Sequence, residues 1–404
     1  MTSLLRPFLE VCDVQGGTQP PKSEFVHAES EGYIRLLQIQ DFNNDNKAVY
    51  IPQSNKLKTC NLDDVLIGRY GASIGRILRG KTGAYNVAIV KTIPNPSFLD
   101  NNYLFHFLNS SVFKSFISTV SGRAAQAGFN KSDLSRLQIP LPPLPEQRRI
   151  AAILDKADAI RRKRQLAIEK CEDFLRSVFL DMFGDPVTNP NAWATAPLDE
   201  IAFIQSGLAK GRRLEPESVV RVPYMRVANV QDGHLDLAEI KYIEVKPSEI
   251  QRYLLQPGDI LLTEGGDPDK LGRGAIWRGQ IAKCIHQNHI FSVRPMDERV
   301  VPEYLCALIG SEYGKRYFLK AAKQTTGIAS INKSQLKKFP ALTPPVETQK
   351  KYSEVIGRTQ VLRDRFLNFQ AITDSLFSSL TCYAFRGELT NQTADNLLKE
   401  AATG

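Results

Sequence analysis

Apolar residues along this chain follow two periods. Short apolar runs bounded by Gly, Asn and Asp read as strands: Tyr33-Ile34-Arg35-Leu36-Leu37, Asp64-Val65-Leu66-Ile67 and Val87-Ala88-Ile89-Val90, followed by a helical patch over 103–117. A second set repeats them: Tyr224-Met225-Arg226-Val227, Asp259-Ile260-Leu261-Leu262 and Ile290-Phe291-Ser292-Val293. After each set the period changes to alternating threes and fours. Roughly over Glu146–Met182 the seam reads Ile150, Leu154, Ala157, Arg161, Arg164, Ile168, Cys171, Leu175, Val178, Met182. Roughly over Thr348–Tyr383 it reads Tyr352, Val355, Thr359, Leu362, Phe366, Phe369, Thr373, Leu376, Leu380, Tyr383. Seams this long exceed what an average helix of ~11 residues needs, so they predict a coiled coil between the two helices. Arg161, Arg164, Thr359 and Thr373 would set its register at some cost in stability.

The chain also contains itself twice. YIRLLQIQD at 33–41 returns as YMRVANVQD at 224–232, an offset of 191. Asn130-Lys131-Ser132 returns as Asn332-Lys333-Ser334, an offset of 202, and Pro142-Pro143 returns as Pro344-Pro345. The drift implies loop insertion in the second copy. A period near 200 means two whole domains rather than a solenoid. The prolines end each domain, because proline lacks the N–H donor and restricts its predecessor. Gly184-Asp185-Pro186 stops the first helix. The expected class is therefore α+β: two mixed α/β domains in pseudo-twofold repeat, separated by two long helices. The divisions fall at 1–145, 146–184 (helix), 185–346, 347–390 (helix) and 391–404 (tail).

Composition narrows this further. Charged residues are 24% and hydrophobic residues 42%, a globular balance. The formal net charge is +9, spread over both copies, which favours a polyanionic partner without proving one. No apolar run approaches the ~18–20 residues of a membrane span. The N-terminal stretch has no signal-peptide core. Six scattered cysteines without CxxC read as free thiols in a cytoplasmic protein.

Reading DNA needs Arg, Asn, Gln, Ser and Thr at base edges, and Lys, Arg and backbone N–H groups at phosphates. Glycine-rich segments carry such residues in both copies. In the first the candidates are Arg69, Tyr70, Ser73, Arg76, Lys81, Arg123, Gln126, Asn130 and Lys131. In the second they are Lys270, Arg273, Arg278, Gln324, Thr325, Thr326, Ser330, Asn332 and Lys333. The bland alternative is solvated turns where Gly permits positive φ. Glu264, Asp267 and Asp269 sit awkwardly beside phosphate. One of them suits a cytosine amine; turn capping is the simpler role. Arg35 and Arg226, recurring with Asp41 and Asp232, read as structural ion pairs.

Three patterns point towards enzymes. Gly75–Thr82 fits GxxxxGK[ST], but β-like residues follow where a P-loop opens a helix. Cys284, His286 and His289 have the types of zinc ligands but lack a fourth. Asp236 with Glu244 and Lys246 outlines a nuclease site, yet Ile243 and Val245 alternate with them as in a half-exposed strand. No Asn/Asp-Pro-Pro-aromatic motif for adenine methylation is present. A stand-alone metal-dependent nuclease, a P-loop ATPase and a non-catalytic coiled-coil scaffold remain the rival readings.

Long strings carry a resemblance. LQIPLPPLPEQRRIAAILDKADAIRRKR, then FLRSVFLDMFGDPVTNPNAW, resembles the central region of specificity subunits of Type I restriction–modification systems. GRYGASIGR, GAYNVAIVK and SGRAAQAGFNKSDL resemble their first target-recognition domain, and AFRGEL resembles the end of their C-terminal helix. The second hinge, PPVETQKK, and EGGDPDKLGRGAIW depart from the first copy. The resemblance implies a non-catalytic DNA-recognition subunit that reads a bipartite, asymmetric site, with two target-recognition domains held apart by an antiparallel helical pair. It implies as partners double-stranded DNA, two methyltransferase (modification) subunits docked on the helices and restriction/translocase subunits, with no membrane. No cofactor is expected in this chain; S-adenosylmethionine, ATP and Mg belong to the partners. A rod of ~36 residues spans about 54 Å, more than one duplex turn, so the helices would act as a ruler between half-sites.

Overall fold

The computed structural model describes residues 4–121, 128–209, 219–266, 271–296, 298–325, 328–389 and 393. The chain divides into two compact units that do not follow its linear order. One combines the chain up to Ala167 with the chain from Phe366 onward; the other is Ile168–Arg365. The boundary cuts both long helices, so each unit holds one globular domain and half of each helix.

In the first unit, strands 12–16, 89–94, 66–68 and 77–78 lie side by side in that order, all antiparallel. A second sheet orders strands 50–52, 33–37, 83–85 and 59–60, with 33–37 and 83–85 parallel. Strand 4–7 pairs with 138–141 and closes the domain beside the helix. Strand 66–68 shows why its sequence is almost continuously apolar. Ile67 faces a core built with helices 101–109 and 111–121, while Leu66 faces a second core with Leu37, Tyr85 and Ile89. Both faces are covered, so strict alternation is lost.

The second unit repeats this arrangement. Strands 202–206, 290–295, 260–263 and 274–276 form the same order, and 241–245, 220–225 and 285–286 form the second sheet with one parallel pair. Ile260 and Leu262 face one core and Leu261 another. Pairing registers fix the equivalences. Leu37 pairs with Tyr85 as Met225 pairs with His286, and Asn86 donates to Leu37 as Gln287 does to Met225. The offset at this strand is therefore 188, not the 191 of the matched strings. Arg35 and Arg226 are not equivalent, and Arg226 follows its strand rather than lying in it. Arg35 pairs with buried Asp41 at 3.5 Å and with Asp45 at 2.5 Å. Arg226 pairs with Glu239 at 3.0 Å, and Asp232 lies 4.0 Å from Lys315. Both arginines are ion-paired, but the recurring Asp232 is not the partner of Arg226.

The first long helix, the central helix, runs Leu144–Phe183, and the C-terminal helix runs Val346–Arg386. They are antiparallel within each unit. In the first, Arg161 lies 4.9 Å over Phe377, Arg164 lies 4.5 Å over Phe369, and Gln370 donates to Gln165 at 2.9 Å. In the second, Arg363 meets Glu172 at 3.2 Å and Phe179 packs edge-on against Tyr352. The central seam is shielded at every threaded position. The C-terminal seam differs from the expected threading. Leu362 and Tyr383 are 46% and 37% exposed, while Arg363 and Ala384 are turned inward. The stripe 352, 356, 359, 363, 366, 370, 373, 377, 380 and 384, the central seam displaced by 202 residues, is shielded throughout, and the expected Val355, Phe369 and Leu376 are shielded beside it.

A glutamine anchors each helix to its domain. Gln147 accepts from the Asp100 amide at 2.9 Å and donates to the carbonyls of Phe98 and Pro142, both at 2.8 Å. Gln349 accepts from Val301 at 2.9 Å and donates to Arg299 and Pro344, both at 2.7 Å. Both side chains are fully enclosed, and each satisfies three backbone groups, one at the proline hinge and two just before helix 101–109 or helix 302–310. The Gly75–Thr82 segment passes from strand Ile77–Leu78 towards strand Gly83–Tyr85 without opening a helix, so it lacks P-loop geometry. Among the described residues no His, Cys, Asp and Glu side chains group to hold a metal. No described helix is long and apolar enough to cross a membrane.

Two outcomes are expected. Leu154 is fully buried in the first core whereas Leu362 is exposed. Leu154→Asp should therefore cost several kcal/mol, about 4 or more, and Leu362→Asp within about 0.5 kcal/mol, as measured by urea unfolding. His286 is enclosed beside the Tyr253 ring, neither ring nitrogen meets hydrogen-bond geometry, and burial pushes its pKa down from 6.5 to about 4. The unfolded chain then takes up the proton first, so stability is present above the unfolded pKa and falls as pH drops from 6.5 towards 4. By pH 5 the loss should reach about 2 kcal/mol, and His286→Phe should remove that part of the pH dependence in unfolding curves at pH 7.5 and 5.

Candidate nucleic-acid interface

The candidate residues of the first domain lie where strand 66–68 ends. Gly68 donates to Arg76 and Gly75 donates back to Gly68, both at 2.8 Å, closing the loop 69–76 on itself. Gly71 and Gly75 hold φ of +61° and +73°, which side-chain-bearing residues rarely adopt. Tyr70 then pairs in a bridge with Gly128, and any Cβ there would meet the Tyr70 ring at 2.8 Å. Arg69 donates through Nε to the Phe129 carbonyl at 3.0 Å and lies 4.9 Å over the Tyr70 ring. These contacts join 69–70 to the segment at 128–131. Arg69, Tyr70, Asn130 and Lys131 thus share one patch, with Tyr70 exposed.

The other first-domain candidates are held differently. Arg76 donates to the Asn43 side-chain oxygen Oδ1 at 2.6 Å, and Lys81 meets Asp45 at 2.5 Å. Lys81 and then Arg35 hold the Asp45 carboxyl below its usual range. Ser73 is half-buried inside the loop. Lys131 lies 2.5 Å from Asp13 and lowers that carboxyl's pKa through their hydrogen bond. The return of Asn130 as Asn332 has a structural cause. Asn130 accepts from the Asp133 amide at 3.0 Å and Asn332 from the Gln335 amide at 2.9 Å, each capping a short helix whose Leu134 or Leu336 is buried. Arg123 and Gln126 lie outside the described residues.

In the second domain the equivalent strand end carries Thr263, Glu264, Gly265 and Gly266. Gly265 and Gly266 pair with Ser330 and Ala329, and hairpin strands 323–325 and 328–330 extend this into a small sheet. Ser330 thus sits on the patch, as does the backbone of Gln324 and Thr325, whose side chains lie outside the described set. Lys270 and Thr326 also lie outside it. The Arg273 guanidinium donates to the Gln231 side-chain oxygen Oε1 at 3.0 Å, and the Arg273 backbone carbonyl accepts from the Thr263 amide at 3.1 Å. Lys333 opens the short helix 333–337 after Asn332. Arg278 does not join them. It follows Trp277, which bonds to Gly258 and Asp259 at the far end of the hairpin, and it pairs with Glu303 at 3.2 Å.

Strand register shows what sequence reading missed. Gly68 pairs with Ile89 as Thr263 pairs with Ile290. Arg69 and Glu264 therefore occupy the same backbone position: Arg69 donates to Ala88 at 2.8 Å and Glu264 to His289 at 3.0 Å. Among the described residues the Glu264 side chain caps no turn. Its Oε2 lies 2.7 Å from His289 Nδ1, whose Nε2 is 3.4 Å from Asn288 Nδ2. The available signal was the recurring Asp64 and Asp259, 195 residues apart, which places Glu264 opposite Arg69. Each patch thus combines glycine-permitted backbone approach with polar side chains, and the two differ in charge at an equivalent position.

The comparisons with known proteins agree with this architecture. Residues 7–170 and 190–358 match the model of the Type I restriction modification DNA specificity domain. The EcoKI specificity subunit of Escherichia coli K12 is 24% identical across 96% of this chain and 89% of its own length. The EcoBI specificity subunit of Escherichia coli is 23% identical across 95% and 85%. Among solved structures, a Type-I restriction-modification S subunit from M. genitalium superposes with TM-score 0.54 at 16% identity, covering 95% of this chain and 96% of that one. A chain from a study of assembly and conformational transition in a type I R-M system gives 0.52 at 18% identity, covering 96% and 98%. With two specificity domains matched over most of its length, the chain belongs to the family of Type I restriction–modification specificity subunits.

Proposed function

We propose that this subunit reads a bipartite, asymmetric site in double-stranded DNA, one half-site per domain, and performs no chemistry itself. The observation that carries this reading is one scaffold present twice, each copy offering a strand-end patch at the same place but with different side chains: Arg69 and Tyr70 in one, Glu264 and Gly265 in the other. Equal scaffolds would place two half-sites in related geometry, and unequal side chains would make them differ. The helix pair docks two modification subunits, and restriction/translocase subunits join that complex in the cytoplasm. S-adenosylmethionine, ATP and Mg act on those partners.

Two experiments test this. Co-expression with the neighbouring methyltransferase subunit in a naive host, followed by methylome sequencing, should yield a split motif with a fixed non-specific spacer. Exchange of residues 1–139 for another recognition domain should then change one half-site and spare the other; change in both would refute modular reading. The helices set the spacer. Removing one heptad from each shortens the pair by about 10 Å and should shorten the spacer by roughly 3 base pairs. An unchanged spacer in the same assay would refute the ruler.

A further inference from the structure

Glu264 is out of place on a polyanion-binding surface unless it faces something other than phosphate. It sits where the first domain has Arg69, and both neighbouring segments hold its backbone: its amide donates to His289 and its carbonyl accepts from Ile331 at 2.9 Å. Its side chain is oriented as well. A carboxylate only accepts, so the proton of the 2.7 Å contact belongs to His289 Nδ1. Nε2 is then free to accept from the Asn288 amide. The chain Asn288–His289–Glu264 aims one carboxylate oxygen at the imidazole. Among the described residues Oε1 takes no hydrogen bond, and the side chain is a third exposed. Gly265, with no side chain, follows Glu264 and pairs closely with Ser330.

Resting on the DNA-reading function proposed above, we infer that Glu264, propped by His289, is a base-reading residue of the second domain. It accepts a hydrogen bond from an exocyclic amine, cytosine N4 or adenine N6, in the major groove. The phosphate backbone repels a carboxylate, whereas these amines are donors that it complements. The first domain presents the Arg69 guanidinium at the same position, a donor-only group suited to the acceptors of guanine. The two half-sites are thereby read with opposite hydrogen-bond polarity at one equivalent position.

The test uses the assembled modification complex and its methylome. Wild-type complex must first give a split motif; its absence would count against DNA reading itself. Given that motif, Glu264→Ala, which removes the acceptor, should relax one position of the second half-site, where cytosine or adenine is required. The preference there should fall by about 5- to 150-fold, with the first half-site unchanged. His289→Asn, which keeps the carboxylate but weakens its prop, should relax the same position to a lesser degree. An unchanged motif in both variants overturns the inference. So does loss of methylation at all sites while the complex still assembles, since that would make Glu264 structural. Should Glu264→Ala fail to assemble, the His289→Asn motif decides alone: relaxation at one second-half position upholds the reading, and any other pattern overturns it.

Discussion

Each domain of this subunit buries its helices against the end of a helix that starts in the other repeat. In the first unit, Phe385 near the end of the C-terminal helix packs at 5.3 Å on Tyr103 and 5.4 Å on Phe107. Leu376, Leu380 and Leu389 enter the same core as Ile150 and Leu154. In the second, Phe179 and Phe183 of the central helix pack on Tyr304, at 5.8 and 4.7 Å, with Tyr352 beside them. Aromatic rings supply large apolar area with a preferred tilted geometry. Neither core closes without the partner helix, so the helix pair is part of both folding units rather than a spacer between finished domains.

That arrangement explains the polar middle of the pair. Where no domain covers the helices, Arg161 and Arg164 lie over Phe377 and Phe369, and Arg363 meets Glu172. Charges tolerated at seam positions add little stability but disfavour other registers. The buried Gln147 and Gln349 then tie each helix start to its proline hinge and to the N-terminal end of helix 101–109 or 302–310. The helices are thus oriented by hydrogen bonds and held by aromatic packing. The loops at the strand ends stay available for recognition.

Much of this was legible in the chain. The two copies, the long helices and the candidate strand-end loops follow from repeated strings, heptad spacing and glycine placement. The errors share one origin. YIRLLQIQD and YMRVANVQD match best at 191 residues, yet their strands are equivalent at 188. String similarity rewards identical letters, while a strand's neighbours reward side-chain alternation and hydrogen-bond phase. The C-terminal seam departs from its heptad reading at Leu362 and Tyr383 for a similar reason. Leu362 is as apolar as Ile356 and Phe377, and only the 202-residue equivalence to the central helix puts Arg363 on the shielded stripe in its place.

The sequence by itself determined that there are two recognition-type domains and two helices, because period, proline hinges and composition are local properties. It also determined the family, through long strings that survive in the central region. Tertiary structure alone decided which helix completes which core, that Arg278 stands apart from the other candidates, and that Glu264 occupies the place of Arg69 beside His289. Those facts depend on contacts between segments far apart in the chain. Their register is set by strand pairing and side-chain packing, which no local pattern records.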